Sequence, residues 1–396
     1  MARILVLDGH SAAALAFTRS AGRAGHWVAV GANRGLFAAA KLSRYCNLSF
    51  DYPVSTDDVE AFVGAIEEFT RLHSVDLIVP ITDWTLQPLS EQRGRFEGIC
   101  RIALPPHDAI VASADKYRTV ELARRLGIAV PRTWLAKTPA DLAGLPELRY
   151  PLVVKDRSSV RWKNGRAVFG SVSYAFGKGE LERKIVERLR LAGDVLIQEF
   201  VSGAGVGLSF FLTQDDVCLP FAWERIREVD PRGSSSSCRM SIAVDEDLRT
   251  ISGRLIRAIG FQGIAMLEYK KVEHGPAVLM EINGRPWGSI GLPIASGIDY
   301  PRYLIDWCLR GSLPPKTLPY RTQITCRRLV GELTHLSNLR KGTPANWPVE
   351  YPGFWSTLGK VAIPWYPGMR YDDVWLSDLR PGLAQIRNWF GVRRTK

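Results

Sequence analysis

Residues 264–289 read IAMLEYKKVEHGPAVLMEINGRPWGS, and the rest of the chain is organised around this stretch. Two apolar runs flank a His-Gly pair, which predicts two antiparallel strands joined by a tight turn. If Glu273 pairs with Pro276 beside the turn, the register puts Glu268 directly opposite Glu281. The Cβ atoms of such a pair are about 4.5–5.5 Å apart. Two carboxylates at that spacing repel each other unless a cation lies between them.

The returning strand adds a third oxygen ligand to this pair. Because side chains alternate along a strand, Leu279, Glu281 and Asn283 are expected on one face, with Met280 on the other. Two carboxylates and an amide oxygen form a hard site suited to Mg²⁺, and Mn²⁺ fits the same ligands. The alternative is the solvated face of an amphipathic hairpin, in which a following arginine neutralises the glutamates.

A Glu-x-Asn-x-Arg run after a strand, with a second Glu on a neighbouring strand, resembles the ATP-grasp superfamily. The resemblance covers roughly residues 112–306 and is nearest in pattern to predicted ATP-dependent carboligases related to the carbamoyl-phosphate synthase large subunit. The shared features are the RIRE segment at residues 225–228, the Ser-rich stretch after Gly233, and EINGRPWGS itself. The resemblance is specific for the fold and for the use of ATP, and it does not specify the substrate.

The resemblance implies a division of roles among these residues. Glu268, Glu281 and Asn283 would hold Mg²⁺, and Arg285 would stabilise the transferred phosphate. Arg225 and Arg227, predicted on one side of a strand beside the Ser-rich loop, either meet a substrate carboxylate or its acyl-phosphate, or are structural.

The resemblance also implies an ATP-grasp fold of mixed α/β and α+β class. Strands alternating with helices of 10–15 residues predict a Rossmann-like N-terminal domain with a parallel sheet over residues 1–112. The two ATP-grasp subdomains are expected over residues 113–200 and 201–310. The first βα loop lacks the GxGxxG fingerprint, so NAD binding is not predicted. Asp83, at a strand end, either contacts the second substrate or caps the following helix.

The nucleotide-binding residues are expected in subdomain A. Lys116 on a helix and Lys155 at the end of the strand PLVVK would bind phosphates, although an exposed helix lysine is the alternative for Lys116. In the strand VLIQEFV the resemblance implies an adenine-binding hinge. There Gln198 would face the exocyclic amine, and the backbones of Glu199 and Val201 would line the ring.

The loop after Lys155 is where relatives carry a glycine-rich flap over the phosphates. Here Arg157, Arg161, Lys163 and Arg166 replace most of the glycines. This basic flap either closes over ATP or forms a simple solvated hairpin.

Composition restricts the class of protein. Hydrophobic residues make up 46% and charged residues 23%, as in soluble globular proteins. Six scattered cysteines without a CxxC pair indicate free thiols, and no apolar run is long enough to span a membrane. The sequence therefore predicts a cytoplasmic protein. No helix-turn-helix, RNP or zinc-finger pattern supports nucleic-acid binding.

Residues 311–396 are expected to form an irregular, Trp-rich extension. From residue 310 onward the chain has 14 Lys and Arg against five Asp and Glu, and five tryptophans follow residue 340. This segment is predicted to pack on the nucleotide domain and to offer Arg387, Arg393 and Arg394 to an acidic acceptor, such as a glycan precursor. A solvated basic face is the alternative.

The predicted function is an ATP-dependent carboxylate–amine ligase that forms an amide through an acyl-phosphate and releases ADP and phosphate. Small-molecule substrates such as amino acids or amino sugars are expected, and no residue is identified as the general base. Two alternatives stay open: attack by another nucleophile, or an ATP-binding interaction protein without catalysis. The sequence allows a homodimer without specifying one.

Overall fold

The computed structural model describes residues 1–163 and 166–394, and the side chains of residues 162–167, 192 and 392–394 lie outside this description. Its first five strands are β1 (Arg3–Val6), β2 (Trp27–Asn33), β3 (Leu48–Tyr52), β4 (Leu77–Val79) and β5 (Arg101–Ile102). The helices between and after them are α1 (Ala12–Arg23), α2 (Val59–Leu72), α3 (Asp83–Glu91) and α4 (His107–Ala114).

These strands form a parallel sheet in the order β3-β2-β1-β4-β5. The apolar residues of β4 and most of β1 are fully buried, as expected of parallel strands covered on both faces. Helix α1 begins where the Ser11 hydroxyl accepts a hydrogen bond from the Ala14 N–H. The predicted parallel α/β arrangement of this region is confirmed.

The next part of the chain builds a smaller antiparallel sheet. Its elements are α5 (Lys116–Arg125), β6 (Thr133–Ala136), β7 (Leu152–Asp156), β8 (Val160–Lys163), β9 (Arg166–Phe169), β10 (Val172–Ala175), α6 (Lys178–Ala192) and β11 (Val195–Glu199). The order is β10-β7-β11-β6, and helix α6 covers the sheet through Leu181 and Ile185. Strands β8 and β9 pair only with each other in the described chain, so a separate hairpin occupies the place of the predicted flap.

A larger sheet carries the stretch that opened the sequence. Its strands are β12 (Ala204–Leu212), β13 (Val217–Glu228), β14 (Ser236–Ile242), β15 (Gly263–Lys271), β16 (Val278–Asn283), β17 (Thr325–Arg327) and β18 (Met369–Tyr371). The accompanying helices are α7 (Glu246–Ala258), α8 (Gly291–Ser296), α9 (Tyr300–Arg310), α10 (Leu329–Leu339), α11 (Phe354–Ala362) and α12 (Arg380–Arg394). The order is β16-β15-β12-β13-β14-β17-β18. Of the described helices, none is long and apolar enough to cross a membrane.

The C-terminal extension is more regular than the sequence indicates. Strand β17 pairs with β14, β18 continues the sheet beyond it, and α10, α11 and α12 follow or separate these strands. Strands of three residues between Pro- and Trp-rich segments show no usable periodicity, so their formation depends on pairing with distant residues. The domain limits predicted at residues 112, 200 and 310 stay predictions, since shared sheets alone do not define domains.

A buried ion pair joins this extension to the N-terminal region. The Arg19 Nε on α1 donates to Asp378 Oδ2 over 2.8 Å, and both side chains are 1% exposed. The remaining guanidinium nitrogens donate to the carbonyl oxygens of Asp372, Asp373 and Asp378. The Trp375 ring centroid lies 4.5 Å from the guanidinium carbon. The arginine is therefore satisfied on all sides.

Candidate active site

Strands β15 and β16 place the two predicted metal-binding glutamates together. They pair antiparallel, with Glu268 opposite Glu281, which confirms the predicted register at this point. The predicted tight turn is wrong, because residues 272–277 connect the strands. Nearer the turn the register differs by one residue, and a β-bulge between Leu279 and Glu281 absorbs the difference.

The bulge changes which residues share a face. Met280 and Glu281 both line a cavity, whereas Leu279 and Ile282 are buried in the core on the opposite side of the sheet. The prediction that Leu279 faces the same way as Glu281 is therefore wrong. In a bulge, two residues of one strand oppose one residue of its partner, so strict alternation fails.

The carboxylates are held only in part by the chain. Burial raises the pKa of Glu268, the Arg225 guanidinium opposes this effect, and the negative charge of Glu281 reinforces it. The Asn283 Nδ2 donates to Glu281 Oε1 over 3.2 Å. No cluster of three or more His, Cys, Asp or Glu able to hold a metal occurs among the described residues, so a cation here would need the amide as well. Two carboxylates and an amide oxygen fit Mg²⁺, whose remaining ligands are commonly phosphate and water.

These three residues open into a cavity of about 830 Å³ between the smaller antiparallel sheet and the larger sheet. Lys155, at the end of β7, lines it and is only 7% exposed. Burial lowers the pKa of Lys155 to about 8, an effect that Glu281 opposes and Lys116 reinforces. The Lys155 ammonium makes no hydrogen bond or ion pair within the described chain. Lys116 also lines the cavity, and its ammonium donates to Ser159 Oγ over 3.0 Å.

The predicted adenine hinge lies at another part of the same wall. Gln198 is 1% exposed, and its Nε2 donates to Thr133 Oγ1 over 2.8 Å. Its Oε1 is buried without a partner among the described residues, which suits a ligand N–H donor such as an exocyclic amine. Val201 lines the cavity. Glu199 is not among the lining residues, and its side chain lies 3.8 Å from Arg132.

The N-terminal sheet positions Arg285. The Arg285 Nε donates to Asp83 Oδ2 over 2.9 Å, and the charge of Asp83 raises the pKa of Arg285. Asp83 is the first residue of α3, and Thr82 occupies the capping position, so the predicted capping role of Asp83 is wrong. Asp8, after β1, accepts hydrogen bonds from the N–H groups of Ile81 and Thr82. The loop that carries Asp83 is thereby fixed to the parallel sheet.

Two glycines on β12 allow Arg225 to reach Glu268. A Cβ atom at Gly205 would lie 3.2 Å from the Arg225 Cβ, and one at Gly207 would overlap the Trp223 indole. The side chains of β13 therefore extend flat across β12. Arg225 donates to Glu268 Oε2 and to Glu228 Oε1, each over 2.8 Å. These two carboxylates raise the pKa of Arg225 although burial lowers it.

Arg227 does not join Arg225 in the cavity. A register shift at Ile226 separates the two arginines, and Arg227 binds Glu332 on α10, with Nε 3.1 Å from Oε2. Arg227 is not among the lining residues. The expectation that both arginines lie on one side of the strand stays a prediction, and the irregular pairing between them interrupts strict alternation.

The basic loop after β7 also departs from the expected contacts. Arg157 binds Asp115 over 2.7 Å and Asp194 over 2.8 Å, so it stabilises the base of the hairpin and does not line the cavity. Arg161 lies 3.9 Å from Asp194. The side chains of Lys163 and Arg166 are outside the described residues.

Comparison with known proteins agrees with this geometry. A family model described as ATP-grasp in the biosynthetic pathway with Ter operon matches residues 209–329. A probable alpha-L-glutamate ligase of Picosynechococcus sp. is 26% identical over 257 residues, 62% of this chain and 80% of the relative. An L-amino acid ligase from Bacillus licheniformis superposes with a TM-score of 0.61 at 18% identity, over 80% of this chain and 78% of that one.

A second solved structure is the biotin carboxylase domain of 2-oxoglutarate carboxylase from Hydrogenobacter thermophilus, crystallised with MgADP and bicarbonate. It superposes with a TM-score of 0.63 at 15% identity, over 82% of this chain and 73% of that one. The chain has the ATP-grasp fold, and its residues 209–329 match an ATP-grasp family model. Its ATP-grasp cavity combines an opposed carboxylate pair with a lysine and an amide oxygen that have no partner among the described residues, and these groups fit a magnesium nucleotide.

Some cavity residues of this ATP-grasp chain were not predicted from the sequence. Trp287 follows β16, whereas Arg328 and Trp347 come from the C-terminal extension. The Trp347 ring lies 5.0 Å from that of Tyr174 and 5.7 Å from that of Phe200. Residues brought together by long-range sheet pairing leave no local pattern, so only the Trp-rich composition hinted at such contacts.

Proposed function

We propose that the protein is an ATP-dependent carboxylate–amine ligase, which forms an amide bond through an acyl-phosphate and releases ADP and phosphate. The observation that carries this proposal is the placement of Glu268 opposite Glu281 at one cavity with Lys155 and Arg285. The similarity to proteins named as glutamate and amino-acid ligases supports it. For the same reason L-amino acids are the first substrate class to test.

The residues have complementary tasks in this reaction. Glu268, Glu281 and Asn283 would hold Mg²⁺, which supplies charge neutralisation on the phosphates when bound. Lys116 and Lys155 bind phosphate oxygens. These positions bring fixed positive charge to the place where phosphate must lie, and a partly dry cavity strengthens that attraction.

Arg285 completes the arrangement on the opposite side. Its Nε is fixed by Asp83, and the guanidinium also lines the cavity beside the metal-binding strand. A guanidinium held in this way stabilises the transferring phosphoryl group without having to reorganise. Arg225 bridges Glu268 and Glu228 and so fixes the orientation of one metal-binding carboxylate.

The test uses the full chain with ATP, Mg²⁺ and a mixture of the proteinogenic L-amino acids. We expect ADP and phosphate as stoichiometric products, and an amide bond detected by mass spectrometry. Hydroxylamine added in place of the amine should trap the acyl-phosphate as a hydroxamate. Release of AMP and pyrophosphate would instead indicate adenylation and contradict the proposal. ADP release without hydroxamate or amide would contradict activation of a carboxylate.

A further inference from the structure

One arginine in the cavity wall differs from the others in its contacts. Arg225 binds Glu228 and Glu268, Arg232 binds Asp230, and Arg285 binds Asp83. Arg328 lines the same cavity, but its guanidinium makes no hydrogen bond or ion pair within the described part of the chain. Among the described arginines that line the cavity, Arg328 alone has no carboxylate partner.

A backbone hydrogen bond fixes the position of Arg328, whose side chain has no partner in the described part of the chain. It directly follows β17, and its N–H donates to the Ser237 carbonyl over 2.9 Å. Two carboxylates lie on nearby elements, Asp372 and Asp373, and neither is within ion-pair distance of the Arg328 guanidinium. Asp372 binds Arg239 through Oδ2, its Oδ1 is buried without a partner among the described residues, and Asp373 accepts the Leu329 N–H over 3.1 Å.

Burial gives the missing hydrogen bonds of the Arg328 guanidinium a cost in free energy. The side chain of Arg328 is partly buried. Burial lowers the pKa of Arg328, Asp372 opposes this effect, and the positive charge of Arg239 reinforces it. A guanidinium that loses water without gaining hydrogen bonds costs free energy, which a ligand anion would recover. Ser235 and Ser236 line the same cavity and add polar groups near the start of β14.

Arg328 lies away from the expected phosphate position. Glu268 is on β15, and three strands, β12, β13 and β14, separate it from β17. Four strand spacings correspond to roughly 19 Å between backbones. Arg328 therefore belongs to a part of the cavity wall away from Glu268, and a cavity of about 830 Å³ leaves room for a second anion beside a nucleotide.

We propose that Arg328 binds the carboxylate of an L-amino-acid substrate that is not activated in the reaction. This inference rests on the proposed function and names the substrate class. The planar guanidinium binds a carboxylate through two parallel hydrogen bonds, which fixes the substrate's orientation as well as its charge. The C-terminal extension thus supplies the substrate anchor. Arg387, predicted for a similar role, is exposed and lies outside the cavity wall, and the side chains of Arg393 and Arg394 are not described.

The experiment compares amino acids with their amides. Saturation-transfer NMR is recorded with a mixture of proteinogenic L-amino acids, and separately with the corresponding amino-acid amides, in the presence of the full chain. The parent should bind at least one acid more tightly than its amide. Arg328→Gln should weaken the binding of that acid by about 10–100-fold, the range for a hydrogen-bonded charged pair, and should remove the preference for the acid over the amide. Arg328→Lys should retain part of this preference.

Arg340→Gln is the matched control, because Arg340 is an exposed arginine of the same extension that does not line the cavity. Arg340→Gln should leave the affinities for the acid and for its amide unchanged. Arg328→Gln should leave the affinity for ATP unchanged. The proposal is overturned if the parent binds no acid better than its amide, if Arg328→Gln keeps the preference, or if only ATP binding weakens. Loss of acid binding in Arg328→Gln, with no ADP release by the parent, would instead contradict the ligase function alone.

Discussion

Two buried groups of charges in this protein differ in how completely they are paired. At the contact between α1 and the C-terminal extension, Arg19 has an acceptor for each guanidinium nitrogen. Asp378 accepts from Arg19, from the Ser43 hydroxyl and from the Arg44 N–H. Nothing in this group is left for a ligand. It is a structural contact, and it joins residues far apart in sequence.

The cavity between the smaller and the larger sheet presents the opposite case. Lys155 and Arg328 have no partner in the described chain, Gln198 has an unpaired oxygen, and Glu268 faces another carboxylate. Buried polar groups are normally satisfied, and unpaired ones in a cavity are expected at binding sites. Between these two groups, the completeness of pairing differs more than the burial of charge.

The largest effect is expected at the carboxylate pair. Glu281→Gln should reduce ADP release by more than about 100-fold, because a neutral amide no longer balances a divalent cation. The melting temperature should change little or rise, since a repulsion with Glu268 is removed. Glu273→Gln, in the exposed connection of the same strands, is the matched control. Turnover within threefold of the parent would contradict the assignment of Glu281.

Disrupting the Arg19–Asp378 ion pair should lower the stability of the fold. Arg19→Met should lower the free energy of unfolding by about 3–5 kcal/mol, because Asp378 is left buried without its counter-ion. Chemical denaturation measures this change. Arg71→Met is the control, since Arg71 is 59% exposed beside Glu67 and such surface pairs contribute about 1 kcal/mol or less. A loss below 1 kcal/mol in Arg19→Met would show that the pairing is not important for stability.

The unpaired lysine predicts a pH dependence. With its pKa at about 8, Lys155 loses its charge as the pH rises from 7 to 9, so ATP affinity should fall over this range. Lys155→Met should weaken ATP binding by about 10–100-fold at pH 7 and should make the affinity for ATP nearly independent of pH over this range. Calorimetric titration at several pH values measures both. Lys178→Met, at an exposed position, should behave as the parent does.

The same shift has a consequence for folding. Between about pH 8 and the usual pKa of 10.5, the unfolded chain keeps the Lys155 proton that the folded chain has lost. The contribution of Lys155 to stability therefore rises with pH across this window. The free energy of unfolding of the parent, measured relative to that of Lys155→Met, should therefore rise over this pH range. A fall would contradict the burial of the ammonium.

The smallest effect is expected at Arg227. Arg227→Gln should change the KM of the amino acid by less than threefold, because this side chain binds Glu332 and does not line the cavity. Stability should fall by about 1–2 kcal/mol, since Glu332 keeps its contact with Arg327 over 3.2 Å. A KM increase of tenfold or more would restore Arg227 to the substrate site.

Site residues could be placed from the sequence where their positions follow from the alternation of side chains along a strand. They could not be placed where their positions depend on irregularities of the sheet. Glu268 and Glu281 follow from a period of two and a register between neighbouring strands. The bulge beside Met280 and the shift at Ile226 do not, because such irregularities arise from three-dimensional sheet geometry. Arg328 was missed because its place in the wall depends on β17 pairing with the distant β14.

The contact between Arg19 and Asp378 can form only late in synthesis. The two residues are 359 positions apart, so the partner of Arg19 emerges roughly 20–70 s later at ordinary ribosome speeds of about 5–20 residues per second. Throughout that interval helix α1 carries an arginine without its final partners, and the cavity lacks the wall that Arg328 and Trp347 provide. If Arg328 binds the proposed amino-acid substrate, a nascent chain arrested before residue 328 should be inactive toward it, even where the sheets that form the rest of the cavity have folded.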